Sequence, residues 1–408
     1  MPRTEIIAGL DIGSSKVCAV VAKIQADEEV QIIGSSIIPC RGLKSGTIVN
    51  IENTVKAIQQ AVEQAEEQAK IKSLTSLFVT VKGAQIESFN HRGAINISRT
   101  DKEITLDDVN TVLESAKAVQ ISTDREILHV IPQDYVVDKQ SGVHTPVGME
   151  GSHLEVNVHI VTGSRSAVSN LVKCVNRAGF KVDDICLGIL AANEVTITRE
   201  EKDLGVILID IGGQTVDIAI FCNGSIHYTK ELPVGGDFIN KDIAYGLRTS
   251  LSAAQELKEK YGHAVAGLTD ESKAIDYLSV DGRTIRQTSP KKLSEIIQPR
   301  VEEILMMISE EIEHSGYKEF TPAGAIITGG TALLSGALGA AEQILNMPIR
   351  LGIPHPLAGL EQVTTTTVYA SALGLLKLAQ KGDIGQSRYS SKKDGVFSKL
   401  KNWWEEAF

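Results

Sequence analysis

The chain is poor in several features that would place it in other classes. Its five cysteines, Cys18, Cys40, Cys174, Cys186 and Cys222, are an odd number, widely spaced, with no Cys-x-x-Cys. That excludes a disulfide framework and a zinc ribbon, and most of the five sit in apolar runs where a reduced thiol packs well. No apolar run is long enough to span a bilayer, and Met1 to Glu5 have no basic region or apolar core of a signal peptide, so the expected location is cytoplasmic. Positive charge is in deficit: 41 Lys and Arg against 51 Asp and Glu leave a net charge of −10 and a pI near 5.5. A nucleic-acid partner is disfavoured, because that affinity comes from clustered Lys and Arg. Aromatic residues make up only 4% of the chain, and both tryptophans, Trp403 and Trp404, lie at its end. The remainder, 42% hydrophobic and 23% charged over 408 residues, is ordinary for a globular protein with room for two full cores.

What is present is a motif that occurs twice. Leu10-Asp11-Ile12-Gly13-Ser14-Ser15-Lys16-Val17 and Ile209-Asp210-Ile211-Gly212-Gly213-Gln214-Thr215-Val216 each read as strand, tight turn, strand. Glycine and serine let backbone N–H groups approach an anion, and an Asp at the strand end can hold a hydrated Mg²⁺ against it. One such turn alone reads as a plain hairpin. Two copies, each leading one half of the chain, predict a duplicated fold with both turns facing one nucleotide. A third element, Ala325-Ile326-Ile327-Thr328-Gly329-Gly330-Thr331-Ala332-Leu333, is a strand ending in paired glycines before a helical stretch. By itself it is a helix entry turn; as the third member of the set it suits close approach to a purine and its ribose.

In these motifs the chain resembles the actin/Hsp70/sugar-kinase ATPase superfamily and, more closely, the FtsA family of bacterial cell-division actin homologues. The closer resemblance rests on Arg41-Gly42-Leu43-Lys44-Ser45-Gly46, His129-Val130-Ile131-Pro132-Gln133, Leu154 to Gly163, Gly235-Gly236 with Asp242-Ile243-Ala244, and Pro299-Arg300-Val301-Glu302-Glu303-Ile304. It implies an α/β, actin-like ATPase fold, two duplicated domains around a nucleotide cleft, with an extra subdomain and a C-terminal amphipathic helix. The expected division is a first domain over 1–82 and 164–200 interrupted by the extra subdomain at 83–163. A second domain over 201–234 and 317–380 would carry a helix-rich insert at 235–316, followed by a linker at 381–395 and a terminal helix at 396–408. Periodicity predicts helices from Ile51 to Ala69, Asp107 to Val119, Ser166 to Ala178, Leu251 to Tyr261 and Leu293 to His314.

The resemblance implies ATP with Mg²⁺ in the cleft. Asp11 and Asp210 would position the hydrated metal; the amides of Gly13, Ser14, Gly212 and Gly213 would cradle the β- and γ-phosphates, with Ser15, Gln214 and Thr215 beside them and Lys16 adding charge. Gly329, Gly330 and Ala332 would line the adenosine side, with Gln255 and Lys258 near the ribose. Asp217 is either the superfamily's acidic residue after the second turn or a solvent-facing strand position. Two departures stand out. Gln214 replaces a glycine and carries a Cβ that resists positive φ, and Gln255 replaces a Glu with a neutral amide. Leu187 to Asn193 offers no carboxylate or amide before Asn193 to orient an attacking water, so turnover is expected to be slow at most.

Phe397, Leu400, Trp403, Trp404 and Phe408 fall on one arc of a helical wheel with every charge outside it. Such a short helix suits the membrane headgroup boundary, or docking on its own core. The resemblance implies self-assembly into actin-like filaments, a place at the inner membrane's cytoplasmic face with other division proteins, and binding of the C-terminal tail of the tubulin-like FtsZ. Arg300 would contact that tail, or be a surface Arg on an amphipathic helix. The rival readings are a sugar-kinase or phosphatase-type enzyme, an Hsp70-like chaperone and the pilus-assembly actin-like relative.

Overall fold

The computed structural model describes residues 5–24, 30–355 and 357–382; the tail from Phe397 to Phe408 lies outside them. Strands β1 (Glu5–Ile12), β2 (Lys16–Ile24) and β3 (Val30–Pro39) form an antiparallel meander. Residues 7–12 of β1 and 17–22 of β2 are buried without alternation, the mark of a sheet covered on both faces. A short hairpin, β4 (Leu43–Lys44) and β5 (Thr47–Ile48), leads to helix α1 (Ile51–Ala69). Asn50 caps that helix through Oδ1, 2.9 Å from the N–H of Asn53. Its buried stripe, including Val55, Ile58 and Val62, joins the core of the first sheet. Strand β6 (Ser76–Val81) then lies parallel to β1.

The inserted subdomain comprises β7 (Glu87–Asn96), α2 (Leu106–Lys117), β8 (Arg125–Val137), β9 (Gln140–Val143) and β10 (His153–Ser164). Its sheet runs β7-β10-β8-β9 around a separate core with Ile104, Val112, Tyr135, Leu154 and Val158. Strand β8 was not anticipated as one continuous strand: Pro132 cannot donate to the ladder, and the register with β10 shifts beside it. The chain returns through α3 (Arg165–Arg177), β11 (Lys181–Leu187), α4 (Gly188–Thr196) and α5 (Arg199–Leu204).

The second half repeats the first. Strands β12 (Val206–Ile211), β13 (Val216–Cys222) and β14 (Ser225–Leu232) form a meander, followed by α6 (Gly236–Leu247), α7 (Leu251–Tyr261), the ribbon β15 (Ile275–Leu278) with β16 (Ile285–Thr288), and α8 (Pro290–Ser315). Strand β17 (Ala325–Thr328) lies parallel to β12, and after α9 (Ala337–Leu345) comes β18 (Ile349–Leu351). The orders β3-β2-β1-β6-β11 and β14-β13-β12-β17-β18 are therefore equivalent, as a duplication requires, with β19 (Ala358–Gly359) added outside β3. After α10 (Glu361–Thr364), α11 (Ala370–Lys381) packs on α4 and β1. Two glycines allow that approach: a Cβ on Gly9 would lie 2.8 Å from the Ala372 carbonyl oxygen, and one on Gly374 would collide with that of Ala191.

The inserted subdomain is bonded to the second domain along β14. His159, 1% exposed, lies between Asn90 Oδ1 at 2.7 Å and Thr229 Oγ1 at 2.9 Å. Gln133, at the irregularity beside Pro132, donates to the Ile226 carbonyl at 2.8 Å. No helix of the described residues is long and apolar enough to cross a membrane.

Candidate functional site

The two repeated motifs form two turns of the same geometry. In each, the first glycine N–H closes the loop onto the carbonyl three residues on, Gly13 to Lys16 and Gly212 to Thr215, both at 2.9 Å. Contrary to expectation, the N–H groups of Gly13 and Gly212 are thus spent within the turns and do not face an anion. Those of Ser14, Ser15, Gly213 and Gln214 have no hydrogen-bond partner among the described residues and are the donors left for an anion. The turns face each other closely: a Cβ on Gly213 would lie 2.6 Å from Ser15 Oγ.

Gln214 resolves differently from expectation. Its φ is not positive, so its Cβ costs the turn nothing. Its side chain joins the domains instead, accepting from the Ser45 N–H at 3.1 Å and donating to Asp237 Oδ2 at 3.0 Å. The neighbouring Gly46 N–H donates to Ser14 Oγ at 2.7 Å, which places the Arg41–Gly46 stretch over the first turn.

Asp11 and Asp210 end equivalent strands, and both are buried. The Thr80 hydroxyl donates to Asp11 Oδ1 at 2.6 Å. Between the two carboxylates stands Lys82, just beyond β6, with its ammonium 3.3 Å from Asp11 Oδ1, 3.2 Å from Asp210 Oδ2 and 3.0 Å from Ser371 Oγ. Burial alone would raise the Asp11 pKa and lower that of Lys82; the Lys82 charge, the Thr80 hydrogen bond and the Lys16 charge together outweigh it at Asp11, and the charges of Asp11, Asp210 and Asp217 together outweigh it at Lys82, holding Asp11 below the ordinary carboxyl value and Lys82 well above the ordinary ammonium value.

Beside this triad lie two further carboxyls, paired across strands. Asp217, 2% exposed, faces Glu231 in register, and Glu231 accepts from the Gly83 N–H of the first half. A solvent-facing Asp217 is therefore excluded. Burial, opposed by Lys82 and aided by the Asp210 and Asp11 charges, pushes Asp217 up to about 7. Burial and the Asp217 charge drive Glu231 well above the usual range, so the pair holds a proton near neutrality.

The third motif closes the site from the second domain. Gly329 has φ +88° and faces Asp210 so closely that a Cβ would collide with Oδ1, a double requirement for glycine. The Thr331 hydroxyl donates to the Gly212 carbonyl at 3.0 Å, and Lys258 Nζ to that of Gly236 at 3.2 Å. Lys16 points across the cleft to the Val368 carbonyl at 3.4 Å, and burial lowers its pKa. A Cβ on Gly330 would stand 3.9 Å from the Lys16 ammonium. Thr215 is buried. Ala332 is buried in the second core, and Gln255 is exposed and donates to Glu259 at 2.8 Å. Arg300, on α8, already has carboxylate partners, with Nε 2.6 Å from Asp242 Oδ2, Nη2 3.1 Å from Oδ1, and a further contact to Glu303.

Sequence reasoning missed Lys82 and Glu231. Lys82 had one local signal, a charge directly after the strand-like run Leu77–Val81; Glu231 had none.

Comparison with known proteins agrees with this architecture. Residues 207–374 match the family described as cell division protein FtsA, and residues 83–162 match the SHS2 domain inserted in FtsA. The chain is 42% identical to cell division protein FtsA of Pseudomonas aeruginosa, covering 99% of this chain and 98% of the relative. Against FtsA of Escherichia coli it is 33% identical, again over 99% and 98%. Among solved structures it is similar to the PilM–PilN type IV pilus biogenesis complex, with TM-score 0.64 and 15% identity over 90% of this chain and 97% of that one. It is also similar to MreB 5 of Spiroplasma citri bound to AMPPNP, with TM-score 0.57 and 14% identity over 94% and 98%. The duplicated sheets, the inserted subdomain and near-full-length identity together mean that this chain belongs to the FtsA family of cell-division proteins and has the actin-like ATPase fold.

Proposed function

We propose that the protein binds ATP with Mg²⁺ between its two repeated turns, assembles into filaments at the cytoplasmic face of the cell membrane, and ties FtsZ to that membrane during division. The observation that carries the nucleotide reading is the meeting of two equivalent turns, each with unpartnered N–H donors and a buried Asp behind it. These groups fit a metal–triphosphate: Asp11 and Asp210 would hold the hydrated metal, and the amides of Ser14, Ser15, Gly213 and Gln214 would hold phosphate oxygens. The bound metal would supply neutralisation of phosphate charge. Slow turnover is supported by the Leu187–Asn193 stretch, where the Asn193 amide donates to the Leu190 carbonyl.

The membrane reading rests on the aromatic arc of the tail, whose two Lys and two Glu cancel, leaving apolar insertion as the main attraction. One such helix binds marginally, so assembly would strengthen attachment by avidity. For the partner, Arg300 would exchange an internal carboxylate for one of the FtsZ tail.

The test is co-sedimentation with anionic vesicles, with and without the last 13 residues, followed by electron microscopy with Mg·ATP. The full chain should sediment with vesicles, largely resist high salt, and form filaments. A truncated chain that sediments equally well would contradict the membrane assignment, and dispersed particles on every vesicle would contradict assembly.

A further inference from the structure

We propose that Lys82 is a nucleotide-sensing residue: its ammonium, which bridges Asp11 and Asp210, passes to the phosphates of an entering Mg²⁺–nucleoside triphosphate, which makes it selective for triphosphate over diphosphate. The inference rests on the nucleotide reading above and assigns this residue a task within it.

Charge and geometry support the assignment. Asp11 and Asp210 are both buried, belong to different domains, and each has Lys82 within 3.3 Å. Two buried carboxylates left without a cation are costly, so the bridge ties the two halves together across the cleft. The same two oxygens are also the groups suited to a hydrated Mg²⁺. A divalent ion and the ammonium together bring three positive charges to two carboxylates. The ammonium is then better placed on the phosphates, which carry more negative charge in a triphosphate than in a diphosphate.

The surroundings are shaped for this side chain. Gly188, the first residue of α4, lies against the Lys82 stem, and a Cβ there would collide with Lys82 Cε. The neighbouring Gly83 N–H is held by Glu231 of the second domain, so the backbone at the root of the side chain is fixed across the cleft. The ammonium also has a neutral partner in Ser371 Oγ at 3.0 Å, which can hold it while its carboxylates exchange. The chain of four methylenes supplies the reach, and the fixed backbone limits it to the turns.

The experiment compares wild type, Lys82→Met and Gly188→Ala, each titrated with fluorescent ATP and ADP analogues in Mg²⁺, and melted with Mg²⁺ alone. Gly188→Ala keeps every charge and only displaces the lysine. Loss of one charge-assisted phosphate contact should weaken the ATP analogue about tenfold or more in both variants, while the ADP analogue changes less than about threefold. Without nucleotide, Lys82→Met should melt below wild type and gain more from added Mg²⁺, since the ion no longer competes with the ammonium. Equal losses for both nucleotides, or unchanged affinities, would overturn the assignment, as would identical Mg²⁺ responses. Should Lys82→Met fail to fold, Gly188→Ala decides by the same criteria. A wild type that binds neither nucleotide would instead overturn the nucleotide reading itself.

Discussion

Gly213 of the second turn packs against Ser15 of the first with no room for a side chain: a Cβ on Gly213 would stand 2.6 Å from Ser15 Oγ and 2.7 Å from Ser15 Cβ. Gly213 is a glycine for space, since its φ is not positive. Gly213→Ala should therefore fold normally but hold the turns apart. Affinity for Mg·ATP should fall about tenfold, or about 1.4 kcal/mol. Isothermal titration checks this, and wild-type affinity in the variant would show that the turns do not close on the ligand.

Arg300 and Asp242 form a two-pronged ion pair with side-chain exposures of 26% and 32%. At that exposure the pair itself is worth only about 0.5–1 kcal/mol. Its importance lies in competition. If Arg300 receives a carboxylate of the FtsZ tail, Asp242→Ala should strengthen peptide binding severalfold by freeing the guanidinium, while Arg300→Glu should abolish it. Calorimetry with a peptide copying that tail measures both; weaker binding in Asp242→Ala would place the peptide elsewhere.

The Asp217–Glu231 pair predicts a pH dependence of stability. Both carboxyls have folded-state pKa values above their ordinary ones, with Asp217 at about 7. The folded chain therefore keeps protons that the unfolded chain has released. Stability from this source is complete below roughly pH 4 and is lost as pH rises through about 7. Asp217→Asn removes one of the two titrations, and the charge that helps raise Glu231, while keeping the shape. Its melting temperature should decline less than that of wild type between pH 5 and pH 8, and parallel melting curves would mean that the pair does not share a proton in the folded state.

Much of the architecture was legible because it is written locally. Asp11 and Asp210 each stand at the end of an apolar run that breaks at small residues, and helix α1 shows its buried stripe in its spacing. The cleft chemistry was less legible because it depends on register and contact. Glu231 matters only because β13 and β14 pair it with Asp217, and Lys82 only because the duplication brings Asp210 to it. Residue type misled at Gln214, where a Cβ suggested strain; the turn keeps φ negative and the amide bridges Ser45 and Asp237. Pro132 hid a strand, since a proline in a ladder is tolerated only where register shifts around it.

The central claim, a metal–nucleotide site between the two turns, is tested most directly by titrating Mg·ATP into wild type and Asp210→Ala while measuring bound nucleotide. The account predicts saturable 1:1 binding to wild type, dependent on Mg²⁺, and at least about tenfold weaker binding to the variant, because a buried carboxylate suited to the hydrated metal is gone. Equal affinities for the two proteins, or binding indifferent to Mg²⁺, would contradict it.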